Sequence, residues 1–121
     1  MEKTIMIDGK PVKFKSTAGT MIRYRNQFNR EFLSDLAKLR NVKKDLSVIT
    51  LSPFYDIVWV LAKTADDSIG DPLTWYDSFD DFPIIDVFTQ LQDIIMATIK
   101  TKNSHAAALP DKQKTRRKRR R

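Results

Sequence analysis

From Phe54 to Ala65 the chain reads Phe-Tyr-Asp-Ile-Val-Trp-Val-Leu-Ala-Lys-Thr-Ala, and at helical spacing its apolar residues fall on nearly every side. A helix of that kind has no wet face to offer. It is expected at the centre of a core or in an interface, with Trp59 supplying a large share of the burial. Ser52-Pro53 provides an N-cap and a proline suited to the first helical position, and Asp66 to Gly70 ends the run. The most apolar part, Phe54 to Ala62, would span about 14 Å as a helix, against about 30 Å for a bilayer core. It also contains Asp56, so no membrane span is expected.

The remaining elements are read around that helix. Thr4-Ile5-Met6-Ile7 and Pro11-Val12-Lys13-Phe14-Lys15 flank Asp8-Gly9-Lys10, which predicts a β-hairpin with Val12 and Phe14 on its buried face. Pro11 fits an edge strand, where no ladder donor is needed. Ser16 to Thr20 offers several N-caps for a helix whose apolar face is Tyr24, Phe28, Phe32, Leu36 and Leu39. Arg23, Arg30, Asp35 and Lys38 are placed largely outside that face, and Asn29 offers a break into two shorter helices. Asn41 to Asp45 reads as a polar connection. Asp71-Pro72 starts a short helix with Trp75, Tyr76 and Phe79, and Asp80-Asp81-Phe82-Pro83 is a stop. Ile84, Val87, Phe88, Leu91, Ile94, Ile95 and Ile99 form the stripe of a final helix. The fold class expected is α+β, mainly α: a hairpin packed on four or five helices, in a single domain over residues 1–101.

Charge divides the chain at that boundary. Residues 1–101 hold 13 Lys and Arg against 14 Asp and Glu, whereas residues 102–121 hold nine against one. The end is read as a disordered basic tail. Lys112, Lys114, Arg116, Arg117, Lys118, Arg119, Arg120 and Arg121 are candidate contacts for nucleic acid or an acidic partner. No aromatic is interleaved with them, so stacking on single strands is not expected.

Catalysis and metal binding find little footing. The single histidine, His105, falls in the stretch Lys102 to Lys114, which reads as linker, and the three glycines form no phosphate loop. An EF-hand loop from Asp66 fails in register, because its sixth and twelfth positions are Asp71 and Asp77 rather than Gly and Glu. The aspartates from Asp66 to Asp86 are better explained as caps and turns. No cofactor and no enzymatic activity are expected. The chain has no cysteine, which excludes disulfides and suits a reducing compartment, and its N-terminus lacks signal-peptide character. A cytoplasmic setting is the expectation. As protein-contact candidates, Arg23 and Arg25 flank Tyr24, and Trp59, Trp75, Tyr76, Phe79 and Phe82 are core or interface aromatics.

Taken as whole phrases, three blocks resemble the tail assembly chaperones of long-tailed bacteriophages and prophages of Gram-positive hosts. The first is Gly9-Lys10-Pro11-Val12-Lys13-Phe14-Lys15-Ser16-Thr17-Ala18-Gly19-Thr20 with Ile22-Arg23-Tyr24-Arg25, Phe28 and Arg30. The second is Tyr55, Ile57, Trp59, Leu61-Ala62-Lys63 and Ala65-Asp66. The third is Asp71-Pro72-Leu73, Trp75, Phe79 and Phe82-Pro83-Ile84. The resemblance covers roughly residues 3–100 and rests on packing and turn residues. It implies a non-enzymatic protein of the host cytoplasm that keeps the tape-measure protein soluble, helps recruit tail-tube subunits, and is absent from the finished particle. In many such phages a ribosomal frameshift appends a second domain, and the basic end is a candidate location for one. Self-association along the target, through acidic loops and basic tail, is a further expectation. The run Arg116 to Arg121 has no counterpart in the family pattern.

Overall fold

The computed structural model describes residues 1–39 and 51–107, of which 100–107 are described as helix backbone only. The Asn41–Asp45 connection and the basic residues from Lys112 to Arg121 lie outside the described residues. Two strands, β1 (Glu2–Ile7) and β2 (Lys10–Lys15), precede six helices: α1 (Thr20–Phe28), α2 (Phe32–Lys38), α3 (Ser52–Ala65), α4 (Pro72–Asp77), α5 (Ile84–Gln90) and α6 (Gln92–Ala107). The architecture is α+β and mainly α, as the residue pattern predicts, with six helices among the described residues where four or five are expected.

The strands form an antiparallel hairpin with Ile5 opposite Val12 and Ile7 opposite Lys10. Asp8 and Gly9 both have positive φ, 54° and 75°, the two-residue turn that matches strand twist. Beyond the strand ends, the Ser16 N–H donates to the Met1 carbonyl at 2.9 Å, adding one more paired position. Ladder alternation then leaves the backbone groups of Pro11, Lys13 and Lys15 directed to the outer edge of β2. A missing N–H and two lysines are effective protection for such an edge. Ile5, Ile7 and Phe14 face inward and are buried, while Met6 on the outer face is exposed.

Helix α1 begins at Thr20 with Gly19 as its N-cap, and no side chain caps it. The Ser-Thr run is used otherwise: the Thr17 hydroxyl accepts from the Gly19 N–H, and Ser16 shares a hydrogen bond with Thr98 of α6 at 2.6 Å. Asn29, at φ 57° and ψ 34°, breaks the helix in the left-handed conformation that asparagine tolerates. Tyr24 then packs on both Phe28 and Phe32, and Phe28 packs edge-on against Trp59.

The central position falls to α3, whose Ile57, Val58, Val60 and Leu61 are fully buried. Strand β2 and helices α1, α2, α4 and α5 all pack on it. Its start differs by one residue from expectation, with Leu51 as the cap and no side-chain capping bond. Asp71 caps α4 by accepting from the Thr74 N–H at 3.1 Å. The single final helix predicted from Ile84 is two helices joined at Leu91. Leu91 takes a turn conformation, and the Asp93 carboxylate accepts from the next N–H, that of Ile94, at 2.8 Å. The stripe survives because Leu91, Ile94 and Ile95 remain fully buried. Backbone helix also continues through Ala107, so part of the predicted linker, His105 included, is helical.

The inward and outward faces of the hairpin are testable. Phe14→Ala should destabilise by about 3–5 kcal/mol through a core cavity. Met6→Ala should stay within about 0.5 kcal/mol, both read from urea unfolding.

Candidate partner-binding surface

The strongest electrostatic feature is where α1 turns into α2. Asp35 is 1% exposed and accepts from the Tyr24 hydroxyl at 2.5 Å and from Arg30 Nε at 2.8 Å, with Lys38 at 3.3 Å. The same guanidinium reaches Asp56 of α3, so one arginine bolts the turn to the central helix. It also lies over the Phe28 ring, 5.4 Å from its centroid. Placing Asp35 outside the apolar face is therefore a misreading. Asp35 lies one helical turn after Phe32 and one before Leu39, so the period itself points it inward.

Burial works against ionising Asp35, but the hydrogen bonds from Tyr24 and Arg30, then the charge of Arg30, hold its carboxyl below the usual range. Burial wins at Asp56 and raises its carboxyl despite Arg30. Burial and the hydrogen bond to Asp35 push the Tyr24 hydroxyl far up, and burial does the same to Tyr76, which donates to the Tyr55 carbonyl at 2.6 Å. Asp35, with three partners, is the best satisfied member of this network.

Arg23 and Arg25 are not brought together. Arg23 reaches Asp67 in the loop after α3 at 2.9 Å, whereas Arg25 turns back to Glu31 at 3.3 Å. Two residues along a helix point roughly 200° apart, so they serve different faces. Of the aspartates read as caps and turns, Asp66 and Asp71 act so. Asp66 accepts from the Ser68 N–H and hydroxyl, and those bonds lower its carboxyl, as the bonds from Thr74 lower that of Asp71. Among the described residues no group of three or more His, Cys, Asp or Glu is arranged to hold a metal ion. No described helix is long and apolar enough to cross a membrane.

The aromatics divide between core and surface. Trp59 and Trp75 are buried, and Trp59 donates to the Gly70 carbonyl at 3.0 Å. Tyr76, Phe79 and Phe82 are half-buried and meet Trp75 in edge-to-face contacts. Beside them an open cleft of about 320 Å³ lies between the β2 edge and the end of α3, lined by Thr4, Pro11, Val12, Lys13, Ala62, Asp66, Ile69 and Trp75. Large apolar side chains also stand in solvent: Leu73 at 69% exposure, Met6 at 65% and Ile22 at 63%, with Met1, Leu33, Leu51, Ile85 and Met96. Their spread over several elements was not legible in the stripes, which mark only what is buried.

The sign of the pH dependence at the Asp35 network follows from the two shifts. Asp35, depressed on folding, stabilises fully above about pH 4 and loses that contribution as pH falls through its folded value. Asp56, raised on folding, acts oppositely: its contribution is present below about pH 4 and is lost as pH rises through its folded value. Arg30→Gln should cost about 2 kcal/mol at pH 7, discounted for the partial exposure of the guanidinium. In urea unfolding across pH, that difference should narrow as Asp35 becomes protonated. A constant difference down to pH 3 would show that Arg30 acts by packing alone. Comparison with protein-family models, curated protein sequences and solved structures gives no match to this chain.

Proposed function

We propose that this protein is a tail assembly chaperone of a long-tailed bacteriophage or prophage, working without catalysis in the bacterial host cytoplasm. It covers apolar stretches of the tape-measure protein, helps bring tail-tube subunits to it, and leaves before the particle is finished. The observation that carries the reading is the set of large apolar side chains held in solvent around a buried apolar core, Met6, Ile22 and Leu73 foremost. Such groups suit repeated, modest contacts with a long helical target. Methionines at Met1, Met6 and Met96 add adaptable contact surface.

The residues of the family resemblance serve the fold. Gly9 completes the hairpin turn, Tyr24 and Phe28 pack at the α1–α2 turn, and Asp71 caps α4. The second reading is a small nucleic-acid-binding protein, favoured by the basic run from Lys112 to Arg121.

Nuclease-treated pull-downs from cells co-expressing the neighbouring tail genes distinguish the two. Full-length protein and a version ending at Ala107 should both capture the tape-measure or tail-tube protein. Ile22→Asp combined with Leu73→Asp should lower that capture roughly ten-fold while preserving the circular dichroism spectrum. Capture of neither protein, with nucleic acid recovered only by the full-length form in untreated samples, would overturn the chaperone reading.

A further inference from the structure

Charge is segregated along the chain beyond the division at the tail. Residues 64–99 contain eight aspartates and no lysine or arginine, and residues 112–121 contain eight Lys and Arg and no acid. The acidic segment runs from the end of α3 through the loop before α4, α4, the loop after it and α5 into α6. Cations from elsewhere in the body already settle on it. Lys3 donates to the Gln90 carbonyl at 2.6 Å, and Lys63 donates to the Asp67 and Ile69 carbonyls. Lys10 donates to the Ser78 carbonyl at 3.1 Å and lies over the Phe79 ring, 5.3 Å from its centroid.

Among the described residues, Asp77, Asp80, Asp81 and Asp86 make no ion pair. They fall within ten consecutive residues, next to half-buried Phe79 and Phe82 and exposed Ile85. The aromatic and carbonyl setting that holds the Lys10 ammonium thus neighbours, along the chain, four carboxylates that pair with no cation among the described residues. The complementary segment in this chain is its basic end.

We propose that the face around residues 77–86 is the docking surface for the basic segment 112–121 of a second copy of this chain. The occupant comes from another copy because of where each part sits. The hairpin turn lies beside the acidic loop, since the Asp8 carboxylate accepts from the Asp80 N–H at 3.0 Å. Helix α6 starts beside Lys3 and reaches Ser16, at the hairpin's open end, by Thr98. It continues nine residues beyond, to Ala107. A tail leaving there must double back along its own body to reach its own acidic loop, whereas the loop of a neighbour is open to it. Tail-to-face contact is heterologous and leaves a free tail and a free face at the two ends, so it propagates. It is electrostatic and weakens with salt. This inference stands apart from the tape-measure reading and does not require it.

Sedimentation velocity of nuclease-treated, full-length protein tests it, at about 20 mM and about 500 mM salt, which bracket weak and strong screening. The acid-neutral variant carries Asp77→Asn, Asp80→Asn, Asp81→Asn and Asp86→Asn. The tail-neutral variant carries glutamine at 116–121, outside the described body, and both are checked for wild-type melting by circular dichroism. Wild type should form species larger than a monomer in low salt, weakened roughly ten-fold or more in high salt. Each variant alone should remain a monomer. Mixed together they should form a complex of two copies that grows no further, because each retains the half the other lacks. A monomeric wild type in low salt would overturn the proposal, and if it bound a single-stranded oligonucleotide the tail would be assigned to nucleic acid. An acid-neutral variant that associates like wild type, or a mixture of folded variants that stays monomeric, would overturn it equally.

Discussion

A helix with apolar side chains on every side loses burial energy wherever one side is left wet, and the chain is arranged so that α3 is covered all round. Helices α1, α2, α4 and α5 have nine, seven, six and seven residues, too short to be stable alone. A two-stranded hairpin is also marginal in water. Each of these elements becomes stable by presenting one apolar face to α3, so the helix that cannot sit on a surface organises five elements that could not stand alone. Leu91, at the junction of α5 and α6, and Ile94 and Ile95 of α6 are buried to the same degree as the α3 core.

That dependence makes the turn between α1 and α2 critical, because two short helices must meet α3 at a set angle. Asn29 reverses the chain through a left-handed residue, and the burial of Asp35 beneath Tyr24 fixes how far it reverses. A buried carboxylate is costly unless paired. Arg30 supplies the pairing while also reaching Asp56, so the desolvation of two acids is offset by one guanidinium. Their opposite shifts follow directly: Asp35 has the tyrosine hydroxyl and Lys38 besides, whereas Asp56 has Arg30 alone among these partners and remains raised by its burial.

Periodicity made the hairpin, the α1–α2 apolar face and the central helix legible in the sequence, because burial repeats at the period of each element. It was blind to changes that leave the stripe intact. The interruption at Leu91 is one, since the next apolar residues regain the same side after a single turn. The start of α1 is another: Ser16 and Thr17 look like caps, but their hydroxyls serve Thr98 and Gly19 instead. Asp35 was misplaced because a charged residue was assigned to the wet face by type, although its spacing from Phe32 and Leu39 set it inside. The surface was less legible than the core. Solvent-exposed Ile22 and Leu73 look like any other apolar residue, and only three-dimensional burial separates them from Tyr24 and Trp75.

Charge order along the chain, by contrast, was readable without coordinates, and the fold gives it meaning. The acidic stretch from Asp66 to Asp93 wraps the α4–α5 side, and basic residues of the hairpin, α1 and α3 lean onto its near margin. Lysine stems suit that task, since they lie along apolar surface and bring only the ammonium to a carbonyl. These contacts satisfy the margin and leave the aspartates from Asp77 to Asp86 facing outward. Repulsion among clustered carboxylates is tolerable in water and falls further when a cationic segment arrives. Charges so divided repel face to face and attract tail to face.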